Sequence, residues 1–137
     1  MGIAYVDSSA LLKLVVSEGE TAALEADLAT RDGLVTSSIA VVECHRAARR
    51  AGDRRILQRT ELVLESVYLL DLTAVVLERA STLRPVAIRS LDAIHLASAL
   101  SVDERDMEVI TYDDRMADAA RANGLRVQQP GRTARRA

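Results

Sequence analysis

The sequence predicts an α/β fold in which a small, mainly parallel sheet carries helices on both faces. Two observations predict this fold. Short apolar runs that end at polar residues alternate with longer segments of helical periodicity along the chain. The chain also has 137 residues, of which 49% are hydrophobic and 28% charged, and this suits one domain with a single core. Because the helices outnumber the strands, the sheet must be small.

The expected elements follow from these runs and from the residues that bound them. Strands are expected at residues 3–6, 34–36, 67–72, 108–112 and 125–127. Helices are expected at residues 8–16, 19–30, 39–51, 54–66, 74–84, 91–100 and 113–123. The side chains expected to cap helix N-termini are those of Ser8 or Ser9, Ser37 or Ser38, Asp53, Thr73 and Ser90. Gly52 and Pro85 are expected to end helices.

Composition excludes several classes of protein. No apolar run approaches the ~20 residues that a membrane helix needs, so no membrane association is expected. The single cysteine, Cys44, excludes an internal disulfide framework and a thiolate metal cage. The N-terminus has no basic stretch followed by an apolar run, so we expect no signal peptide and a cytoplasmic location.

Four acidic residues lie where a strand gives way to a helix, or on such a helix. They are Asp7, Glu43, Asp92 and Asp113. In an open α/β sheet the carboxyl ends of the strands face one crevice, where ligands bind. Carboxylates that converge there repel one another unless a cation lies between them, and hard oxygen ligands select Mg²⁺ or Mn²⁺. The spacing therefore argues for a metal-dependent enzyme.

Each acid also has a structural interpretation. Asp7 and Asp113 could cap the helices that follow them, and Asp92 could interact favourably with the dipole of its own helix. Glu43 is harder to explain in this way, because a mid-helix carboxylate on an apolar stripe is costly to bury without a partner. Arg46 could pair with it locally, and a metal could pair with it better.

Three polar residues lie close in sequence to these acids. Ser9 and Thr111 could hold the carboxylates or metal-bound waters in place, although helix capping and strand propensity would also explain them. His95 follows Asp92 by one helical turn, a spacing that could bind metal. The apolar surroundings of His95 favour a core or supporting histidine instead.

Positive charge is concentrated in one segment, although the chain has a net charge of −2. Six arginines and one aspartate lie between Cys44 and Thr60. Such a segment beside a carboxylate cluster suits a polyanionic substrate, and a solvated helix face is the alternative. Arg46 and Arg50 lie three and seven residues beyond Glu43, near the same helix face, so we expect these two to contact substrate phosphates.

The motifs around the four acids resemble those of the PIN-domain family. Residues 6–11 (VDSSAL) resemble its opening motif, and Glu43 matches its second acid. Residues 91–97 (LDAIHLA) are very close to its third motif, and residues 111–125 resemble its closing motif. The match spans about residues 3–127, and the set looks most like the VapC toxins of bacterial VapBC toxin–antitoxin pairs.

The resemblance implies a three-layer α/β/α sandwich, with a PIN-like nuclease domain at residues 1–128 and a basic, flexible tail at residues 129–137. It implies a Mg²⁺- or Mn²⁺-dependent endoribonuclease toxin of a type II toxin–antitoxin system. It further implies an RNA substrate, a VapB-type antitoxin and a homodimer. The metal ligands that it implies are Asp7, Glu43, Asp92 and Asp113, with Ser9 and Thr111 in supporting roles.

Other functions are compatible with a carboxylate cluster. A Mg²⁺-dependent phosphatase or a DNA nuclease could use a similar sheet, although a haloacid-type phosphatase would want Asp-x-Asp where this chain has Asp7-Ser8-Ser9. A non-catalytic RNA- or partner-binding module could keep the fold, and loss of an acid would favour it, but none of the four is missing. Asp114 could share or take the role of Asp113, although the spacing from Thr111 favours Asp113.

Overall fold

Five short parallel strands form the sheet of the computed structural model, which describes residues 1–132. The strands are β1 (Ile3–Val6), β2 (Gly33–Ser37), β3 (Tyr68–Leu70), β4 (Glu108–Ile110) and β5 (Arg126–Gln128). Their spatial order is β3-β2-β1-β4-β5, and each neighbouring pair is parallel. The direction of strand addition therefore reverses between β1 and β4, which is the place where open α/β sheets bind ligands.

Seven helices connect the strands within the described range. They are α1 (Ser8–Val15), α2 (Thr21–Leu28), α3 (Ile39–Ala51), α4 (Arg54–Glu65), α5 (Ala74–Thr82), α6 (Ser90–Leu100) and α7 (Asp114–Ala122). None of the helices within residues 1–132 combines the length and the apolar character that crossing a bilayer requires.

The side chains of the strands alternate between two cores, one on each face of the sheet. Ala4 and Val6 of β1 pack with buried residues of α1, α2, α3 and α4. Tyr5 points to the opposite face and packs with buried residues of α6 and α7. α5 lies against α6. Helices thus cover both faces of the sheet, and the predicted three-layer α/β/α fold is confirmed.

The expected helix starts are mostly confirmed, and one is wrong. Asp53 and Thr73 accept hydrogen bonds from the N–H groups of Arg55 and Val76, so both cap their helices. Ser90 does not cap α6. It is already the first helical residue, and Arg89, with an extended backbone, takes the capping position without a side-chain bond. The first turn of α6 closes on the Arg89 carbonyl, which accepts from Ala93 N–H at 2.8 Å.

Two other helix starts are set by residues close to those expected. Asp7, rather than a serine, caps α1, because its carboxylate accepts from the N–H of Ala10. At the start of α3, Ser37 Oγ accepts from Ile39 N–H at 3.2 Å, whereas Ser38 makes no capping bond.

The first residues of the expected tail lie against the domain. Tyr112 Oη donates to the Pro130 carbonyl at 2.7 Å. Arg132 lies over the Tyr112 ring, 5.4 Å from its centroid, and approaches Asp114 at 3.2 Å and Glu20 at 3.8 Å. Residues 133–137 of the expected tail lie outside the described residues. The division of the chain after residue 128 stays a prediction.

Replacement of Arg132 by Gln is expected to lower the melting temperature. The variant loses a cation–π contact and two ion pairs, which together are worth about 1 kcal/mol. The matched control is Arg126→Gln, because Arg126 is 59% exposed and its partner Asp106 is 81% exposed. Thermal unfolding of the three proteins measures the difference. Equal melting temperatures for the two variants would contradict a stabilising contact of residues 129–132 with the domain.

Candidate active site

Asp7 lies at the switch point of the sheet and is 5% exposed. Val6 is in register with Ile110, so Asp7 and Thr111 leave β1 and β4 side by side. One carboxylate oxygen of Asp7 accepts from Ser9 Oγ at 2.6 Å and from Ala10 N–H at 3.1 Å. The other oxygen accepts from Thr111 Oγ1. Asp7 therefore caps α1 and belongs to the cluster at the same time.

The two hydroxyls that hold Asp7 are themselves fixed by backbone groups. Ser9 Oγ accepts from Tyr112 N–H at 2.9 Å, and Thr111 Oγ1 accepts from Asp113 N–H at 3.1 Å. Each hydroxyl thus receives one proton from the chain and directs its own proton at Asp7. The structure places Ser9 and Thr111 where the sequence predicts supporting residues.

Glu43 reaches the cluster from α3 and is held by two donors on one oxygen. Ser8 Oγ donates to Oε1 at 2.6 Å, and His95 Nε2 lies 2.7 Å from the same atom. Because a carboxylate only accepts, Nε2 carries the proton of this bond. Burial would raise the pKa of Glu43, but the hydrogen bonds from His95 and Ser8 and the charge of His95 outweigh it, so the pKa lies below its ordinary value.

His95 connects Glu43 to the core that Tyr5 forms with α6 and α7. Its side chain is almost fully buried, and Nδ1 lies 2.7 Å from Tyr5 Oη. The same Tyr5 oxygen accepts from Ser37 N–H at 3.1 Å. A continuous chain of hydrogen bonds thus runs from the end of β2 through Tyr5 and His95 to Glu43. His95 is a supporting residue, as its apolar surroundings suggest.

Asp92 lies in the first turn of α6, is half-buried and faces two other acids. Burial, then the charge of Asp113, then the charge of Asp7 raise the pKa of Asp92 above its ordinary value. Burial likewise raises the pKa of Asp7, against the opposing influence of His95 and of its hydrogen-bond donors. Asp7, Asp92 and Asp113 are therefore electrostatically coupled, and none of them forms an ion pair with Lys or Arg within residues 1–132.

Asp113 and Asp114 are directed to different surroundings. Asp113 caps α7, where Oδ1 accepts from Arg115 N–H at 2.9 Å. Asp114 lies in the first turn of α7, and its Oδ1 accepts from Gln129 and Arg132 at 3.3 and 3.2 Å. Of the two carboxylates, Asp113 is the one whose charge raises the pKa of Asp92.

The arginine-rich segment divides into two parts. Arg55 and Arg59 approach carboxylates at 4.0 and 3.9 Å. Arg46 and Arg50 are exposed on α3 beyond Glu43, and in the part of the chain that the structure describes neither guanidinium makes an ion pair. Both groups are therefore available to a ligand anion beside the cluster.

The donor chemistry of the cluster suits a hard cation, although its side chains are not arranged around one. All four acids offer oxygen, which Mg²⁺ and Mn²⁺ prefer. The raised pKa values of Asp7 and Asp92 show that their negative charges lack full compensation. Across residues 1–132, however, no group of three or more His, Cys, Asp or Glu side chains is placed to hold a metal ion. Binding would require some of these carboxylates to change orientation, whereas Oε1 of Glu43 is held by His95.

Comparison with known proteins agrees with this geometry. The model of the PIN domain matches residues 4–122. The chain is 42% identical over 137 residues to Ribonuclease VapC46 of Mycobacterium tuberculosis, an alignment that covers 95% of this chain and 99% of that protein. It is 37% identical over 131 residues to Ribonuclease VapC47 of the same species, covering 93% and 96% of the two chains. The chain belongs to the PIN-domain family, among the VapC proteins.

Solved structures share this PIN fold. A chain of VapBC2 from Rickettsia felis, bound to a DNA fragment from the promoter, superposes with a TM-score of 0.71 at 12% identity, covering 92% of this chain and 97% of that chain. A chain of a toxin–antitoxin complex from Klebsiella pneumoniae superposes with a TM-score of 0.66 at 24% identity, covering 83% and 89%. At these identities the likeness concerns the fold.

Several residues of this PIN-domain site escape sequence reasoning. Ser8 binds Glu43, and Tyr5 supports His95. The position of Ser8 directly after Asp7 is a signal that could have drawn attention to it. Tyr5 gives no such signal, because its side chain leaves β1 on the face opposite to Ala4 and Val6 and looks like an ordinary core residue.

Asp92→Asn is expected to stabilise the metal-free protein near neutral pH. Burial and the charges of Asp113 and Asp7 raise the folded-state pKa of Asp92, so the penalty for its ionised form is absent below the unfolded value of about 4 and develops as pH rises through the folded value. The gain is expected to be on the order of 1 kcal/mol or less, because the group is half-exposed. Melting temperatures in EDTA, measured across this pH range with the exposed Asp103→Asn as control, test it. A gain that persists unchanged below about pH 4 would have another cause than the negative charge of Asp92.

Tyr5→Phe is expected to destabilise the protein by about 1–3 kcal/mol, because Ser37 N–H and His95 Nδ1 would both lose a buried partner. The control is Tyr68→Phe, since Tyr68 is 69% exposed. Chemical denaturation measures both changes. If Tyr5→Phe unfolds at the same denaturant concentration as the control, the hydrogen-bond chain carries no stability.

Proposed function

We propose that this protein is a Mg²⁺-dependent endoribonuclease that acts as the toxin of a type II toxin–antitoxin system. The observation that carries the proposal is the coupled trio Asp7, Asp92 and Asp113 at the switch point of the sheet, without a pairing Lys or Arg in the described residues. Its relatives are named ribonucleases, which supports RNA as the substrate.

In the proposed mechanism the carboxylates of Asp7, Asp92, Asp113 and Glu43 hold Mg²⁺, or Mn²⁺. When bound, the ion supplies a Lewis acid that activates water and neutralises charge developing on the phosphate. Ser9 and Thr111 keep Asp7 in one orientation through their hydroxyl protons. In Glu43, Oε1 is occupied by Ser8 and His95, which leaves Oε2 as the oxygen that is available for the cation.

The arginines of α3 would hold the substrate. Arg46 and Arg50 lie three and seven residues beyond Glu43, on the same side of the helix. Guanidinium groups bind phosphate oxygens bidentately, so these two side chains would hold phosphates that flank the scissile one. This would align the RNA across the cluster.

We further propose a VapB-type antitoxin as partner, a homodimer as the assembly and the cytoplasm as the location. The support for the antitoxin is structural, because the similar chains come from toxin–antitoxin complexes. Co-expression with a VapB-type antitoxin and light scattering on the purified material test the partner and the assembly. A toxin that stays monomeric, or that does not bind the antitoxin, would contradict them.

One observation favours a nuclease over a haloacid-type phosphatase. A second acid of an Asp-x-Asp motif would take the position of Ser9, whose hydroxyl instead donates to Asp7. This position supports the first acid and adds no carboxylate of its own. A non-catalytic binding module is disfavoured by the retention of all four acids in and beside one crevice.

The test is incubation of the purified protein with RNA, with DNA and with a small phosphate ester, each in Mg²⁺ or EDTA. We expect the protein to cleave RNA but neither DNA nor the ester, and to do so in Mg²⁺ but not in EDTA. We expect Asp7→Asn to keep the fold and to lose this cleavage. Cleavage that persists in EDTA, or equal rates for Asp7→Asn and the wild type, would refute the metal-dependent mechanism. Preferred hydrolysis of the ester would indicate a phosphatase, and preferred hydrolysis of DNA would indicate a DNA nuclease.

In the same assay Asp113→Asn is expected to lower the cleavage rate far more than Asp114→Asn. The reason is that Asp113 is coupled to Asp92, whereas Asp114 binds Gln129 and Arg132. The two variants have the same change in charge and neighbouring positions, so each controls for the other. A larger loss in Asp114→Asn would mean that the assignment is displaced by one residue.

Replacement of both Arg46 and Arg50 by Gln is expected to weaken RNA binding by about tenfold or more, since each charged hydrogen bond is worth about 1.5–3 kcal/mol. The dependence of affinity on salt should also become less steep, by about 0.7 per arginine. The matched control replaces Arg54 and Arg55, which are exposed at the start of α4. RNA affinity at two salt concentrations, without antitoxin, distinguishes the pairs. Equal effects of both double variants would leave only a general influence of charge.

A further inference from the structure

A cavity of about 480 Å³ opens beside Asp92. It lies between the segment that precedes α6 and one side of α7. Ile88, Ala119 and Ala122 belong to its mainly apolar wall, and Arg89 and Arg115 bring two guanidinium groups to it. Both the size and the composition are those of small-ligand sites, which measure about 300–1,000 Å³ and are apolar with a few polar groups. Because Asp92 forms part of its lining, the cavity adjoins the proposed catalytic cluster.

The charges of the cavity suit a phosphate-bearing ligand. The positive charge of Arg89 opposes the rise in the pKa of Asp92, which indicates that the guanidinium lies near the cluster. Within residues 1–132 neither Arg89 nor Arg115 forms an ion pair with a carboxylate. Asp118, the other acid of the lining, lies 3.9 Å from Arg121 outside the cavity. Two cationic groups are thus available beside the place where a scissile phosphate would bind.

Aromatic stacking is not available to the substrate at this site. The chain has no Phe or Trp. Tyr5 and Tyr112 are buried, and Tyr68 lies at the first residue of β3, whereas Asp7 lies at the opposite, carboxyl end of the strands. An unstacked base would therefore need an apolar pocket or a guanidinium plane, and the cavity offers both.

We propose that this cavity is a base-binding subsite, which takes up the base of the nucleotide adjacent to the scissile phosphate in single-stranded RNA. Arg89 and Arg115 would bind the phosphate of that nucleotide or stack on its base. A base that is stacked and paired in a duplex cannot enter this cavity, so the nucleotide that binds here must be unpaired. The inference rests on the proposed ribonuclease function and adds to it a base-binding subsite with named residues.

The experiment uses an RNA that the wild type cleaves in an unpaired segment, and the same RNA with an abasic nucleotide on either side of the cleaved bond. In the wild type one abasic position is expected to raise KM about tenfold, because contacts of a single base are worth about 1–3 kcal/mol. Ala122→Leu fills the cavity from an exposed position at the end of α7. This variant should bind the intact RNA as weakly as the wild type binds the abasic RNA, and it should not distinguish the two.

The arginines are tested by Arg89→Gln combined with Arg115→Gln, with Arg126→Gln as a surface control. The double variant is expected to raise KM about tenfold and to lower the salt slope of RNA binding by about 1.4, while the control changes the slope little. Binding of the same RNAs by fluorescence anisotropy in EDTA gives a readout that is independent of cleavage. Unchanged melting temperatures verify that all variants are folded.

The outcomes separate the subsite from the proposed function. If the wild type cleaves RNA but its KM is the same for intact and abasic substrates, or if Ala122→Leu keeps the wild-type KM, the subsite is refuted and the ribonuclease stands. Variants that keep the wild-type KM but no longer bind the antitoxin would refute it too, by assigning the cavity to the protein partner. Absence of cleavage of any RNA by the wild type would overturn the proposed function and the subsite together.

Discussion

The burial of neighbouring carboxylates at the carboxyl ends of β1 and β4 is the constraint on which the rest of the site depends. Parallel pairing of these two strands places Asp7 beside Thr111. Asp113 follows two residues later, and its N–H group donates to Thr111 Oγ1. α6 adds Asp92, whose pKa is raised by burial and by these neighbours. Grouped negative charge of this kind opposes folding, so its persistence in a small domain calls for a compensating ligand.

The chain compensates each acid to a different degree. Asp7 receives two hydroxyl protons and a backbone N–H, and Asp113 receives backbone N–H groups at the start of α7. Glu43 is held by Ser8 and His95, and these contacts lower its pKa. Within residues 1–132 the Asp92 carboxylate has no comparable hydrogen-bond donor, and its pKa is raised. The number of hydrogen bonds that compensate the negative charge is therefore smallest at Asp92, and a cation would relieve the most repulsion there.

His95 links this site to the core of the fold. One α6 face presents both Asp92 and His95, and His95 connects to Tyr5, which belongs to the core beneath the sheet. The packing of α6 therefore positions an acid directly and a second acid, Glu43, through hydrogen bonds. A substitution at Tyr5 would affect Glu43 through His95 without changing any of the four acids.

Much of this organisation could be predicted from the sequence, because it follows from local rules. Alternation of strands and helices predicts the parallel sheet, and the ends of its strands predict that Asp7, Thr111 and Asp113 meet. The contact between Glu43 and His95 could not be predicted in this way, since it depends on how α3 and α6 approach each other above the sheet edge. The cavity beside Asp92 likewise arises from the relation of α7 to the segment before α6, two parts that are distant in sequence. The sequence does not indicate Arg89 as the capping residue of α6, because serine is the commoner cap.

Titration of the metal-free protein with Mg²⁺ in a calorimeter tests the central claim most directly, because it asks whether the carboxylate cluster binds a cation in the absence of any RNA. The wild type and Asp114→Asn are expected to bind Mg²⁺ with the same affinity. Asp7→Asn and Asp92→Asn, with melting temperatures that verify their fold, are expected to bind it at least tenfold more weakly, about 1.4 kcal/mol or more. Equal Mg²⁺ affinity in all four proteins, or no binding by the wild type, would contradict the account.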